Sequence, residues 1–230
     1  MVRIVKEPTL RRNEILDSAQ RLVYTKGFEQ MTIQDILDDR HISKGAFYHY
    51  FDSKPALLDA LLDRMKQEAE GVVMPIFHDP GRNALEKLQD IFDTGARWKT
   101  SRKTYVLALL HGWYSDDNAI VRQKQMASLT QWMAPLLTEV IRQGVREGLM
   151  ATPYPDQMGE VALGLLQNLS DTMTRLILAC EPGCADLQQV DRTIAAYTYA
   201  VERALGIPPA SLKLVDPEMI KEWFVTADAT

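Results

Sequence analysis

Two helix-start signals, Thr32 and Ser43, stand eleven residues apart in the segment TIQDILDDRHISKGAFYHYF at residues 32–51. A Thr or Ser at an N-cap accepts a hydrogen bond from the first turn and so begins a helix. Two starts this close leave room for a helix over about 33–40, the turn His41-Ile42-Ser43 and a very short helix over 44–50. Asp35, three residues after Thr32, places its charge at the favourable end of the first helix. Ile33, Ile36 and Leu37 point inward, with Ile42 as the buried pin of the turn. Two helices joined in this way form a helix-turn-helix. Its second helix enters the DNA major groove while the first crosses the backbone.

The spacing sorts the second helix into two faces. Ala46, Phe47, Tyr50 and Phe51 pack inward, which leaves Lys44, Gly45, Tyr48 and His49 outside. A cation, two hydrogen-bonding aromatics and a residue without a side chain suit phosphates and base edges. Lys54 adds charge beside the next helix N-terminus, itself a phosphate-favouring feature. Thr32 offers a hydroxyl and a free helix N-terminus, Gln34 has the reach for a base edge or a phosphate, and Ser43 joins the set at the cap. The same residues also fit a small helical subdomain with an amphipathic surface.

Helical spacing continues along the chain, and alternating strand patterns are absent, so the fold class is all-α. A first helix is expected over about 10–26, capped by Thr9 and left through Gly27. A fourth, capped by Ser53, should end before Pro75. The stretch HDPGRN at 78–83 reads as a loop. Helices follow near 82–99, 103–114, 117–148, 156–180 and 186–205, with a short one near 217–224. Pro135 should kink or split the longest. The domains expected are a three-helix DNA-binding part over 1–54 and a larger helical ligand-binding and dimerisation part over 55–230.

Composition narrows the function. Apolar residues make up 46% of the 230, enough for a real core. The net charge of −5 argues against nucleic acid at first. Yet residues 1–54 hold nine Lys/Arg against eight Asp/Glu, so the acidity lies in the remainder. The sequence has no apolar run of membrane length and no signal-peptide pattern at its start, so a cytoplasmic protein is expected. Cys180 and Cys184 are too few for a disulfide framework; they read as ordinary thiols or a redox pair. The histidines are scattered at 41, 49, 78 and 111, so no metal site is expected, and no cofactor loop or nucleophile–base motif points to an enzyme.

The fragment TIQDILDDRHISKGAFYHYFDSKPALLDALL closely resembles the TetR family signature: Thr at the start of helix two, Ser-Lys-Gly into helix three, Phe-Tyr-His-Tyr-Phe, then Ser-Lys and a Leu-Leu run. The resemblance covers about residues 10–65. It implies that Thr32, Lys44, Tyr48, His49 and Lys54 fall on DNA-contacting positions. The Asp38-Asp39 pair departs from the family, where a small apolar residue is commoner, and is expected to face solvent. VIRQGVREGLM resembles the family's long helix seven and its exit.

The family resemblance also implies a homodimer through the helices near 156–180 and 186–205, a palindromic operator in double-stranded DNA, and a small-molecule effector whose signal passes through the fourth helix. Ala162, Leu166, Leu169, Met173, Leu176 and Cys180 make one face of the first of these dimer helices, widened by Val161 and Leu165. Val190, Ile194, Tyr197, Val201 and Leu205 line the second, while Ala195, Ala196 and Ala200 keep another face small. These faces serve either a dimer or the monomer's own core. Trp98, Tyr105, His111 and Trp113 are the candidate ligand residues and favour an apolar or aromatic effector. Control by a protein partner, or a helical interaction module without DNA binding, stands as the alternative.

Overall fold

The computed structural model describes residues 8–100, 110, 113–179, 186–216 and 223, the side chains of 8, 98 and 99 aside. Among the described residues all regular structure is helical: α1 Pro8–Lys26, α2 Ile33–Arg40, α3 Lys44–Tyr48, α4 Lys54–Phe77, α5 Ala84–Thr100, α6 Ala119–Arg146, α7 Pro155–Ala179 and α8 Leu187–Leu205. A single 3-10 turn, Asp116–Asn118, leads into α6. No described helix is long and apolar enough to cross a membrane. The chain forms two compact units. One joins residues 1–70 with 107–128, and the other joins 71–106 with 129–230.

The first unit is built on α1. Ile15, Leu16, Ala19 and Val23 form one buried stripe, against which Ile36, Leu37, Phe47, Phe51, Leu57, Leu58 and Leu61 pack. Val121 from the middle of the chain completes this core. Gly27 leaves α1 with φ +86, a left-handed value that glycine adopts without strain. A Cβ there would also stand 2.6 Å from the Asp117 Cβ, so the position is closed to other residues twice over.

Four local expectations are corrected. Thr9 does not cap α1, which begins at Pro8; a proline is at home in a first turn because its missing N–H has no helical acceptor. Pro75 does not end α4, which runs to Phe77. Only the bond to the residue four back is lost there, and the His78 N–H still reaches the Met74 carbonyl at 3.1 Å. Pro135 does not split α6, because it lies on the exposed face, where water can serve the freed carbonyl of exposed Gln131. Asp39 is not a free surface carboxylate: it accepts a 2.5 Å hydrogen bond from Ser18 and pairs with Arg21, tying α2 to α1.

In the second unit a polar cluster joins three helix ends. The Ala84 N–H at the start of α5 donates to Glu147 at 2.9 Å, and this bond holds the Glu147 carboxyl below its ordinary range. Buried Lys87 donates to the Phe77 carbonyl at 2.8 Å and to Gln143 at 3.0 Å. Gly148, at φ +71, ends α6, and the Leu149 N–H returns to the Gly144 carbonyl at 2.9 Å. Gly159 lets α7 approach α6 closely; a Cβ there would meet the Thr138 hydroxyl at 2.1 Å. α7 and α8 pack on one another.

Candidate nucleic-acid interface

The α2 start is a reciprocal capping box. The Asp35 N–H donates to the Thr32 hydroxyl at 3.1 Å, and the Asp35 carboxylate accepts from the Thr32 N–H at 2.7 Å and from its hydroxyl at 2.8 Å. Lys26 donates to both Asp35 oxygens at 2.8 Å. That bond, followed by those from Thr32, lowers the Asp35 pKa to about 2. The helix N-terminus expected to be free is therefore partly covered by Asp35. Thr32 itself remains exposed.

The turn closes with His41 in a left-handed conformation, its N–H bonded to the Leu37 carbonyl. Ser43 then starts α3 by accepting from the Ala46 N–H at 3.2 Å. α3 is two residues shorter than expected, with His49 and Tyr50 in the turn that follows. The two faces lie as the spacing predicts. Phe47 is fully buried and Phe51 nearly so, Ala46 and Tyr50 are half-buried, and Lys44, Gly45, Tyr48 and His49 are exposed.

The exposed face is held in place from below. The Tyr48 ring stands edge-on to Phe47, centroids 5.4 Å apart, and the Lys44 ammonium lies 6.0 Å from the Tyr48 ring. The His49 ring meets Tyr50 at 4.9 Å. Rings fixed by a buried neighbour lose less freedom when they meet a partner. Gly45 has nothing within 4 Å of where a Cβ would stand, so the outer surface is open there.

The cations of this unit divide into two groups. Among the described residues Arg11, Arg21, Lys26, Arg40, Arg64, Lys66 and Lys124 are each paired with a carboxylate. Lys44 and Lys54, among the described residues, have no carboxylate partner: Lys44 lies over Tyr48, and Lys54 lies 4.5 Å over Phe28 and donates to the Glu29 carbonyl at 3.2 Å. Arg12, absent from the sequence-based set, joins them, its guanidinium 5.2 Å from the Phe51 ring. Arg122 directs its guanidinium to the Trp113 and Ser115 carbonyls, and Lys44, Lys54 and Arg12 place the remaining uncompensated positive charge around α3 and the start of α4. Gln34 is exposed but donates to Asp38 at 2.7 Å, one turn along α2.

Of the candidate ligand residues, Trp113 is half-buried and packs against the core of the first unit, 6.0 Å from the Tyr24 ring. The structure thus gives its ring packing partners within the first unit. The Trp98 side chain, Tyr105 and His111 lie outside the described residues, as do Cys180, Cys184 and most of the 217–224 helix. The second unit carries a groove of about 440 Å³ between α5 and residues 213–216, with Phe92, Ala96 and Leu214 as apolar lining and Asp93, Arg97 and Asp216 among its charged lining. No periodic signal marks it, because residues from α5 and from the chain after α8 meet there only on folding.

A sequence profile described as "Bacterial regulatory proteins, tetR family" matches residues 15–61, and one described as "Tetracyclin repressor-like, C-terminal domain" matches residues 111–174. The probable HTH-type transcriptional regulator ArpR of Pseudomonas putida is 35% identical over 177 residues, 71% of this chain and 80% of that one. The HTH-type transcriptional repressor KstR2 of Mycobacterium tuberculosis is 32% identical over 96 residues, 40% of this chain, and here the chain spans only 46% of the relative. Among solved structures, a SmeT–triclosan complex shares the fold with a TM-score of 0.61 at 15% identity, covering 90% of this chain and 98% of that one. With both profiles matched in order and ArpR aligned over four-fifths of its length, the chain belongs to the TetR family of bacterial transcriptional regulators.

Proposed function

We propose that this regulator is a homodimeric repressor that reads a palindromic operator and is released from it by a small apolar or aromatic ligand. The observation that carries the reading is the outward face of α3, where Lys44, Gly45, Tyr48 and His49 are all exposed beside Lys54, with no carboxylate paired to either lysine among the described residues. In this reading Ser43 and Lys54 take phosphates, Thr32 does so only by turning its hydroxyl away from Asp35, Tyr48 and His49 meet phosphate or base edges, and Gly45 lets the backbone approach. Gln34 contributes only by leaving or sharing Asp38. Residues 1–54 do the reading, while 55–230 carry the dimer contact and the effector.

The apolar stripes of α7 and α8 serve the chain's own core, so the dimer reading rests on the other sides of these helices. Ala162, Leu169 and Met173, with Val190, Ile194, Val201 and Leu205, are buried within the chain. Val161 and Tyr199 are exposed, as are Gly164, Ala195 and Ala196, and small residues of this kind let helices approach closely. A two-fold dimer would carry two copies of α3, which must stand about 34–36 Å apart to enter successive major grooves. An effector that favours another spacing then shifts the population off DNA.

Selection of bound fragments from genomic DNA tests the reading. Enrichment of a palindrome is expected, and a fragment set without one refutes the operator. A thermal-shift screen of apolar and aromatic compounds tests release: at least one should stabilise the protein and free the DNA. If none does both, control by a protein partner is favoured.

A further inference from the structure

Asn118 is fully buried although it sits in the polar run Asp116-Asp117-Asn118. Its side chain closes the C-terminal end of α1 from 90 residues away: the Phe28 N–H donates to Oδ1 at 2.7 Å, and Nδ2 donates to the Val23 carbonyl at 3.1 Å. These are groups a helix end leaves without a helical partner or shares with its exit. Beside them the Glu29 N–H donates to the Asp117 carbonyl at 3.2 Å, and Gln30 reaches the Asp117 carboxylate at 3.4 Å. Gly27 admits the Asp117 side chain by having none of its own.

The segment carrying Asn118 is anchored on both sides. Val121 is part of the core under α3, Trp113 lies against Tyr24, and Lys124 pairs with Asp59 of α4 at 2.8 Å. Arg122 donates to the Trp113 and Ser115 carbonyls and so fixes the bend into the 3-10 turn. The turn that is clasped, residues 27–31, feeds directly into Thr32. From its other side Lys54 bonds to the Glu29 carbonyl and covers Phe28. Thr32 and Lys54 are two of the groups proposed to hold phosphate, and both are located by this turn.

We propose that Asn118 is a positioning residue for DNA recognition: by clasping Val23 and Phe28 it lets residues 113–124 set where Thr32 and Lys54 stand, and so governs operator affinity without touching DNA. The inference rests on the operator-binding reading above. A buried amide that both donates and accepts is replaced by no other side chain of its size, which makes the position sensitive to single-atom change.

The test uses the full-length protein and the duplex that the wild type enriches from a random-sequence pool. Asn118→Ala should weaken binding to that duplex by about tenfold or more at a temperature where circular dichroism shows the variant folded. Its slope of log affinity against log salt should match that of wild type, because no phosphate contact is lost. Asn118→Asp, which keeps the acceptor for Phe28 but sets an oxygen against the Val23 carbonyl, should weaken binding at least as much. Folded variants that melt earlier yet bind within twofold of wild type would show a purely structural role and overturn the inference. Should neither variant fold, amide exchange in the wild type decides: Phe28 and Glu29 should exchange about threefold or more slower with the enriched duplex than without it, and unchanged exchange overturns the proposal. If the wild type enriches no duplex, the operator reading falls and this inference falls with it.

Discussion

Tyr48 is 42% exposed, yet its ring is braced on the edge of Phe47, so its packing and its hydroxyl can be tested separately. Tyr48→Phe keeps the ring and removes one hydrogen bond. With a charged partner such a bond is worth about 1.5–3 kcal/mol, so operator affinity should fall roughly ten- to hundredfold. Tyr48→Ala should abolish specific binding without changing the mass in sedimentation, and unchanged affinity would remove this face from the interface. Asp35 gives a pH signature. Its folded pKa, about 2, lies below the ordinary 3.8, so its contribution to stability is complete above about pH 4 and disappears as pH falls through about 2. The urea midpoints of wild type and Asp35→Asn should therefore differ at pH 5 and converge towards pH 2; a constant gap would assign the difference to something other than this carboxylate. Phe47 is the opposite case, fully buried under the reading face. Its truncation to Ala should destabilise the unit by about 3–5 kcal/mol.

Among the elements, those with local causes were legible from sequence. Thr32, Ser43 and Gly27 act on neighbours within a few residues, so the start of α2, the start of α3 and the exit from α1 could all be read directly. The helical period then placed Phe47 inside and Tyr48 outside, and most of the candidate interface followed from it. Elements with distant causes were not legible. Whether Pro75 and Pro135 break a helix depends on whether the freed carbonyl finds another partner, which the fold decides. Asp39 meets Ser18 across 21 residues, and Asn118 meets Phe28 across 90, so both resemble ordinary surface residues in sequence. Pro135 yields a prediction of its own. It lies on the exposed side of a continuous helix, so Pro135→Ala should restore one helical hydrogen bond and raise stability by about 1–3 kcal/mol, read from chemical denaturation.

At the scale of the whole molecule, charge and surface divide the work. The chain carries a net −5, while residues 1–54 are nearly balanced and, among the described residues, the lysines around α3 are not paired with carboxylates. Operator binding should thus weaken steeply with salt, with log affinity falling by about 0.9 per phosphate contact for each tenfold rise in salt. The exposed side of α7 and α8 sets a second expectation: Tyr199→Glu, placing charge at a residue 61% exposed in the single chain, should shift the protein towards monomer in sedimentation and weaken operator binding alongside. A dimer of unchanged stability would move the contact elsewhere.

The compact unit that contains the helix-turn-helix is discontinuous, taking residues 107–128 along with 1–70. That bears on how such regulators can be recombined. A hybrid joined at residue 54 or 70 takes Gly27 and Phe28 from one parent and Asn118 from the other, so the clasp is kept only if both parents carry a matching pair. A reading head is therefore not a cassette bounded by one seam. A graft that also transfers residues 113–124 should keep the donor's operator preference, whereas one cut at a single point should lose affinity even with every DNA-facing residue intact.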